Sequence, residues 1–167
     1  APGGALVAAA LGEGAVLRGL ILFNAIFAVE TATDALFLWA GAALPHGMTY
    51  AEYAHRGAWP LILAALLAGA FALAAMRPDA ASPRAFAIRA LTLLFLAQTL
   101  ALLASAALRL DLYVSVYGLT PWRVAAFLWM GLVATGLVLI VAAMATGRSR
   151  RWLASANAAA ALATLLI

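Results

Sequence analysis

Residues 16–39 read VLRGLILFNAIFAVETATDALFLW, and this apolar run decides the fold class. A helix that crosses a membrane needs about 20 predominantly apolar residues. The run has that length, and the aromatic ring of Trp39 suits the boundary between lipid and water at its far end. It therefore predicts a membrane-spanning helix.

Similar runs follow along the chain and set the architecture. We predict an all-α, polytopic transmembrane helix bundle with about five visible spans, the last of them incomplete. Residues 1–14 are too short and too rich in glycine for a span, so we expect there the tail of an earlier helix or an interfacial segment. The transmembrane domain then covers residues 15–167, with spans at about 16–39, 59–76, 85–108, 124–145 and 152–167.

The composition agrees with lipid as the surroundings of the chain. Hydrophobic residues make up 68% and charged residues only 10%, whereas a soluble domain carries about 25% charged residues. The positive charges are all arginine and are dispersed between the apolar runs, which is typical of membrane-flanking charges and not of a nucleic-acid-binding surface. Because the chain has no cysteine, disulfides, thiolate metal sites and cysteine nucleophiles are excluded.

The arginines also predict an orientation, since cytoplasmic loops carry an excess of positive charge. More of them fall on the side of the N-terminus and the even-numbered loops than on the other side. The two sets are Arg18, Arg77, Arg84, Arg89, Arg148, Arg150 and Arg151 against Arg56, Arg109 and Arg123. We therefore expect the N-terminus of the visible chain in the cytoplasm and loops one and three on the outer, periplasmic side.

A candidate intramembrane polar site consists of Glu30, Asp34, Gln98 and Arg109. A carboxylate at membrane depth costs at least about 2.5 kcal/mol unless it is paired or hydrated. Glu30 and Asp34 lie four residues apart, on one helix face. One interpretation is a proton or cation site. In the other, neighbouring side chains satisfy these groups and hold the helices together, with Asp34 reaching Arg109 or Arg123 and Gln98 forming an interhelical hydrogen bond.

The first outer loop, residues 47–57, reads GMTYAEYAHRG and is strongly polar. Thr49 and Glu52 have the spacing of a capping box, and Gly57 is a helix stop. We therefore expect a short capped interfacial helix in this loop.

The third outer connection, YGLTPW, has a similar signature. Gly118 is a helix stop, Thr120 an N-cap and Pro121 the first residue of the next helix. If the third span continues as a helix up to this turn, Tyr113 and Tyr117 lie one turn apart on the face of Arg109.

The two outer loops together give a candidate outer-face interaction site, whose residues are Tyr50, Glu52, Tyr53, His55, Tyr113 and Tyr117. A metal site from His46, Glu52 and His55 is a weaker alternative, because nothing fixes the distance of His46. Catalysis by Glu52 and His55 is a further alternative, although the chain contains none of the common catalytic motifs. We predict no catalytic residue, no metal and no cofactor.

Two segments resemble a family of bacterial inner-membrane proteins. They read NAIFAVETATDALFLWAGAALPHGMTYAEYAHRGAWPLILAALLAGAF and AQTLALLASAALRLDLYVSVYGLTPWRVAAFLWMGLVATGL. The family is a domain of unknown function with the number 4173, related to number 4153, and the resemblance runs from about Arg18 to the C-terminus. It implies an inner-membrane location, further transmembrane helices before this region and a continuation past the C-terminus that completes the fifth span. Glu30 and Ser115 depart from its pattern, since glutamine and an acidic residue are commoner there.

These observations favour a non-enzymatic integral membrane protein. It would be a structural or accessory subunit, or the partner-binding membrane region of a larger protein. The expected partners are the lipid bilayer and other membrane helices, and not nucleic acid. One alternative is a transporter or proton-linked sensor that uses Glu30 and Asp34. Another is an outer-face membrane enzyme built on Glu52, His55, Tyr113 and Tyr117.

Overall fold

The computed structural model describes residues 12–40, Leu63, Leu67 and residues 83–165, and most of these residues are helical. Helix α1 covers Glu13–Asp34 and continues into one π-helical turn, Ala35–Trp39. Helix α2 covers Pro83–Tyr117, α3 covers Pro121–Thr146 and α4 covers Arg150–Leu165. No strand occurs in this part of the chain, which confirms the all-helical fold class for it.

Three of the helical segments are long and apolar enough to cross a membrane: Glu13–Trp39, Arg84–Tyr117 and Pro121–Thr146. They coincide with the first, third and fourth predicted spans. Helix α4 has 16 residues in the described part of the chain and coincides with the fifth predicted span, which the sequence predicts to be incomplete. Most of the second predicted span and the predicted interfacial helix lie outside the described residues, so the architecture of about five spans stays a prediction.

Helices α1 and α2 run parallel to each other. Near their middle, the ring of Phe27 meets the ring of Phe95 edge-on, with 4.9 Å between the ring centres. Towards their C-terminal ends, Asp34 is paired with Arg109. Since both contacts advance in the same direction along the two helices, the chain has to return to the starting end between α1 and α2. The predicted second span lies in this interval, where Leu67 is helical and packs against the core.

The core lies mainly between α1 and α2, and α3 adds two side chains at its edge. It consists of Val16, Leu20, Phe27, Ile88, Phe95, Leu96, Leu103, Leu137 and Met144. In α1 the buried positions recur every three or four residues, which is the spacing of one helix face. Apolar side chains on the remaining faces are exposed, as expected for helices surrounded by lipid.

The turn between α2 and α3 has its helix-stop glycine, N-cap residue and first helical proline at the predicted positions. Gly118 follows the last residue of α2 with a φ of 76°, and its N–H donates to the carbonyl of Val114 at 2.8 Å. This left-handed backbone favours glycine because it has no Cβ. Thr120 occupies the N-cap and Pro121 the first helical position, but the Thr120 hydroxyl forms no capping bond. Its backbone carbonyl instead accepts from the N–H of Arg123 at 2.9 Å.

The turn between α3 and α4 also rests on a left-handed glycine. Gly147 has a φ of 66°, and the N–H of Arg148 donates to the carbonyl of Ala143 at 3.0 Å. This bond satisfies a carbonyl that the end of a helix would otherwise leave open. Ser149 then caps the start of α4, because its hydroxyl accepts the N–H of Trp152 at 3.3 Å. The tight turn brings α4 back against α3.

Gly136 marks the close approach of α3 and α4. A Cβ at this position would lie 3.1 Å from Oδ1 of Asn157, which is tighter than ordinary van der Waals contact. Asn157 is held in place because its Nδ2 donates to the carbonyl of Leu153 at 2.9 Å. Gly131 is a natural reference, since a Cβ there meets no atom of the described residues within 4 Å.

We therefore predict that Gly136→Val destabilises the purified protein and that Gly131→Val does not. Overpacking a close contact costs about 1–3 kcal/mol, so the melting temperature in detergent, followed by circular dichroism, should fall only for the first variant. Equal melting temperatures for the two variants would contradict a close α3–α4 contact at Gly136.

Candidate functional site

Polar contacts join α1 to α2 along their shared face. We call the side chains that form them the polar seam: Asn24, Asp34, Trp39, Gln98, Ser105 and Arg109. Asn24, the seam residue nearest to the N-terminus of α1, is only 6% exposed. Its Nδ2 donates to the carbonyl of Leu20 at 2.7 Å and, across the interface, to the carbonyl of Leu91 at 3.1 Å. Gln98 Nε2 donates to Asn24 Oδ1 at 3.2 Å, which is the interhelical bond expected of Gln98.

The ion pair of the seam joins Asp34 to Arg109 through a charge-assisted hydrogen bond from Arg109 Nη2 to Asp34 Oδ1. Both side chains are buried, with exposed fractions of 4% for Asp34 and 11% for Arg109. Of the two partners expected for Asp34, the structure thus selects Arg109. Removing one charge of such a pair leaves the other buried without compensation, so the pair favours one arrangement of the two helices.

The seam contact of Trp39 depends on the π-helical turn. In this turn the N–H of Ala40 donates to the carbonyl of Ala35, five residues earlier, at 2.9 Å. The wider turn needs more residues to complete a circle, so Trp39 returns to the side of α1 that faces α2. Its Nε1 donates to the hydroxyl of Ser105 at 3.0 Å.

Glu30 does not take part in the polar seam. Its side chain is exposed, and no hydrogen bond or ion pair joins it to another residue within the described ranges. It lies on the flank of α1, one turn before Asp34, while Asp34 points into the interface. The structure thus places Asp34, Gln98 and Arg109 along one interface and leaves Glu30 outside it.

Two buried oxygens next to the seam retain hydrogen-bonding capacity. The hydroxyl of Thr31 and Oε1 of Gln98 have no hydrogen-bond partner among the residues that the structure describes. In contrast, the buried Thr92 and Thr99 donate to carbonyls one turn earlier in α2, at 2.7 Å and 2.8 Å. These two oxygens at the α1–α2 interface are therefore not used in the hydrogen bonds that join the two helices.

The described half of the outer-face site is a compact aromatic and cationic cluster. The rings of Tyr113 and Tyr117 lie 4.6 Å apart, as expected from a continuous α2. Arg123 lies over the Tyr113 ring, with its Cζ 4.5 Å from the ring centre. The same guanidinium donates to the carbonyl of Tyr117 at 3.1 Å and to that of Gly118. These contacts join the start of α3 to the end of α2 and stabilise the turn between them.

The other half of that site lies outside the described residues. It comprises Tyr50, Glu52, Tyr53 and His55. The meeting of the two outer loops in one pocket therefore stays a prediction, as does the metal alternative that includes His46. Within the described part of the chain, no group of three or more histidine, cysteine or acidic side chains is arranged to hold a metal ion.

At the opposite end of the helices, arginines make two contacts that the sequence did not suggest. Arg89, in the early part of α2, donates to the carbonyl of Met144 near the C-terminus of α3. The guanidinium of Arg148 lies 5.5 Å from the ring centre of Trp152. In the sequence, both arginines indicate only the orientation of the chain.

Asn24 is the main seam residue that sequence reasoning missed. Its signal was available, since an asparagine within a predicted span needs a hydrogen-bond partner. It also shares a helix face with Phe27 and Thr31, at spacings of three and seven residues. These spacings place it towards the core, where Gln98 is the complementary amide.

One comparison with known proteins identifies a family. The family model described as a domain of unknown function, DUF4153, matches residues 4–167. The chain therefore belongs to this family, which is the related family of the resemblance drawn from the sequence, whereas the number 4173 is not confirmed. No curated protein and no solved structure matches the chain.

The ion pair leads to a prediction about single and double substitutions. We expect Asp34→Asn or Arg109→Gln alone to lower the free energy of unfolding by about 3–5 kcal/mol, because each breaks a buried ion pair by removing one of its charges. The double change Asp34→Leu, Arg109→Met should cost less than either single change. Unfolding in mixed detergent measures all three.

Glu30→Gln is the control for that experiment. Because Glu30 is exposed and outside the seam, the change should stay within about 0.5 kcal/mol. A double variant that loses more stability than either single variant would contradict the expected effect of pairing.

The amide pair is expected to couple more weakly than the ion pair. A double-mutant cycle with Asn24→Ala and Gln98→Ala should give a coupling free energy of about 0.6 kcal/mol and no more than about 1.7 kcal/mol, the average and the maximum for hydrogen bonds between membrane helices. Thr135→Val is the control, because its exposed hydroxyl donates only within α3, to the carbonyl of Gly131. Zero coupling between the two amides would contradict a direct bond between them.

Proposed function

We propose that this member of the DUF4153 family is a multi-pass protein of the bacterial inner membrane with a non-enzymatic role. It would act as a structural or accessory subunit, or as the partner-binding membrane region of a larger protein. The observation that carries the proposal is the polar seam, whose side chains join one helix to another. Three helices with the length and apolar character of membrane spans support the location.

The seam supports a structural role because of what polar groups cost in lipid. A charge at membrane depth is expensive, and lipid offers no hydrophobic driving force to bring two helices together. Pairing Asp34 with Arg109 and Asn24 with Gln98 lowers the cost of these groups and joins the helices at the same time. The alternatives of a transporter or sensor and of an outer-face enzyme stay hypotheses.

Helix α3 supplies the surface for a partner. It is the most apolar of the three candidate spans and the least buried within the chain. Trp129 is 60% exposed, and Gly131 and Thr135 are exposed one turn apart. Small residues at this spacing allow the backbone of another helix to approach closely. This face therefore suits a further membrane helix, either from the same protein or from a partner subunit.

Two measurements on the native protein test the proposal. The protein, purified from its source membrane in mild detergent, should migrate with a partner subunit or as part of a larger chain. A photocrosslinking amino acid in place of Trp129 should form an adduct with that same species. The matched control is Leu137, which is 3% exposed and should not crosslink to it. A stable monomer without any adduct at Trp129 would remove the support for this role.

The proposed orientation gives a separate prediction. Because the chain has no cysteine, an introduced cysteine is its only thiol. We expect Ser115→Cys, close to the α2–α3 turn, to react with a membrane-impermeant maleimide in intact spheroplasts. Ser149→Cys, in the α3–α4 turn, should react only after the membrane is opened. Both serines are exposed, so the reverse labelling pattern would contradict the proposed topology.

A further inference from the structure

One end of the helix bundle is strongly basic. Because α1 and α2 run parallel and α3 returns against α2, the N-terminal ends of α1, α2 and α4 lie at the same end as the C-terminus of α3. We call this region the arginine end. Its charged residues within the described ranges are Arg18, Arg84, Arg89, Arg148, Arg150 and Arg151, with Glu13 as the acidic one. These arginines come from three helices and the α3–α4 turn, and they belong to the set that the sequence predicts on one side of the membrane.

The opposite end has no excess of positive charge. Its charged side chains in the described part of the chain are Glu30, Asp34, Arg109, Asp111 and Arg123. Asp34 and Arg109 also neutralise each other within the seam. The field of the described residues is therefore concentrated at the arginine end, where it attracts anions.

Two contacts hold arginines in place without neutralising them. Arg89 donates to the backbone carbonyl of Met144, which carries no net charge. Arg148 lies 5.5 Å from the ring centre of Trp152, an attraction that leaves its guanidinium charged. Contacts of this kind reduce the conformational freedom that an arginine would lose on binding an anion.

Apolar side chains lie among these arginines. Phe86, two residues after Arg84, is 81% exposed, and the half-buried Trp152 directly follows Arg151. A free phosphate ion would gain nothing from such rings. A phospholipid would place its phosphate on the guanidinium groups and its acyl chains beside the aromatic rings, as at the boundary of a bilayer.

We propose that the arginine end binds the headgroups of anionic phospholipids. Arginine suits this ligand because its planar guanidinium forms two parallel hydrogen bonds to phosphate oxygens. The inference rests on the proposed membrane location. It is independent of whether a protein partner binds at α3.

Native mass spectrometry of the full chain tests the proposal. The protein is released from detergent micelles that contain equal amounts of phosphatidylglycerol and phosphatidylcholine, and the ratio of the two bound lipids is measured. Wild type should retain mainly phosphatidylglycerol. Each arginine near a membrane surface changes attraction to anionic lipid about fivefold, equivalent to about 1 kcal/mol. The triple change Arg148→Gln, Arg150→Gln, Arg151→Gln should therefore remove most of the preference.

Two matched variants separate charge from fold. The triple change of the same positions to lysine keeps the charge and should keep most of the preference. Arg123→Gln removes one charge at the opposite end, where Arg123 bonds the α2–α3 turn, and should leave the lipid ratio unchanged. A glutamine triple variant that retains the wild-type ratio would overturn the proposal, as would an equal loss in Arg123→Gln.

A measurement on wild type keeps the test decisive if the triple variants do not fold. Sodium chloride should lower the preference for phosphatidylglycerol, because salt screens exposed charges. Inorganic phosphate at the same ionic strength should lower it no more than chloride does. A much larger effect of phosphate would identify a free-phosphate site and overturn the lipid assignment. Failure to purify any partner protein would count against the proposed function alone, since lipid binding needs no partner.

Discussion

The ion pair between Asp34 and Arg109 is the interaction on which the arrangement of α1 and α2 depends. Leaving either charge buried alone costs about 3–5 kcal/mol, so arrangements that separate the two are strongly disfavoured. The pair fixes one point of contact towards the C-terminal ends of the two helices. The bond between Asn24 and Gln98 fixes a second point nearer the middle. Two such points determine both the relative direction of the helices and their register, which apolar contacts alone specify weakly in lipid.

The charge distribution follows from this parallel arrangement. Because α1 and α2 begin at the same end, Arg18 and Arg84 lie at that end although many residues separate them in the sequence. The bond from Arg89 to Met144 then joins the start of α2 to the end of α3. The contacts that hold the helices in register thus also assemble the basic surface.

Local sequence signals predicted the helices well because they act over a few residues. Long apolar runs indicate the three candidate spans, and Gly118 and Pro121 mark the end of α2 and the start of α3. It was harder to predict which side chains of a helix point towards the neighbouring helix. Glu30 and Asp34 are four residues apart and point about 40° from each other around an α-helix, so both suited one face. The neighbouring helix decides which of them is buried, and that depends on tertiary packing.

Asn24 and the π-helical turn show a second reason why part of the site escaped prediction. A single asparagine in an apolar run gives no indication of which helix carries its partner, since that choice depends on register. The π turn has no distinctive local sequence here, yet it directs Trp39 towards Ser105. Of the contacts described here, the seam bonds join α1 to α2, whereas α3 is joined to α2 through Arg89 and apolar side chains such as Leu137. Since lipid does not drive apolar helices together, the wide exposure of α3 agrees with the proposal that another membrane helix packs against it.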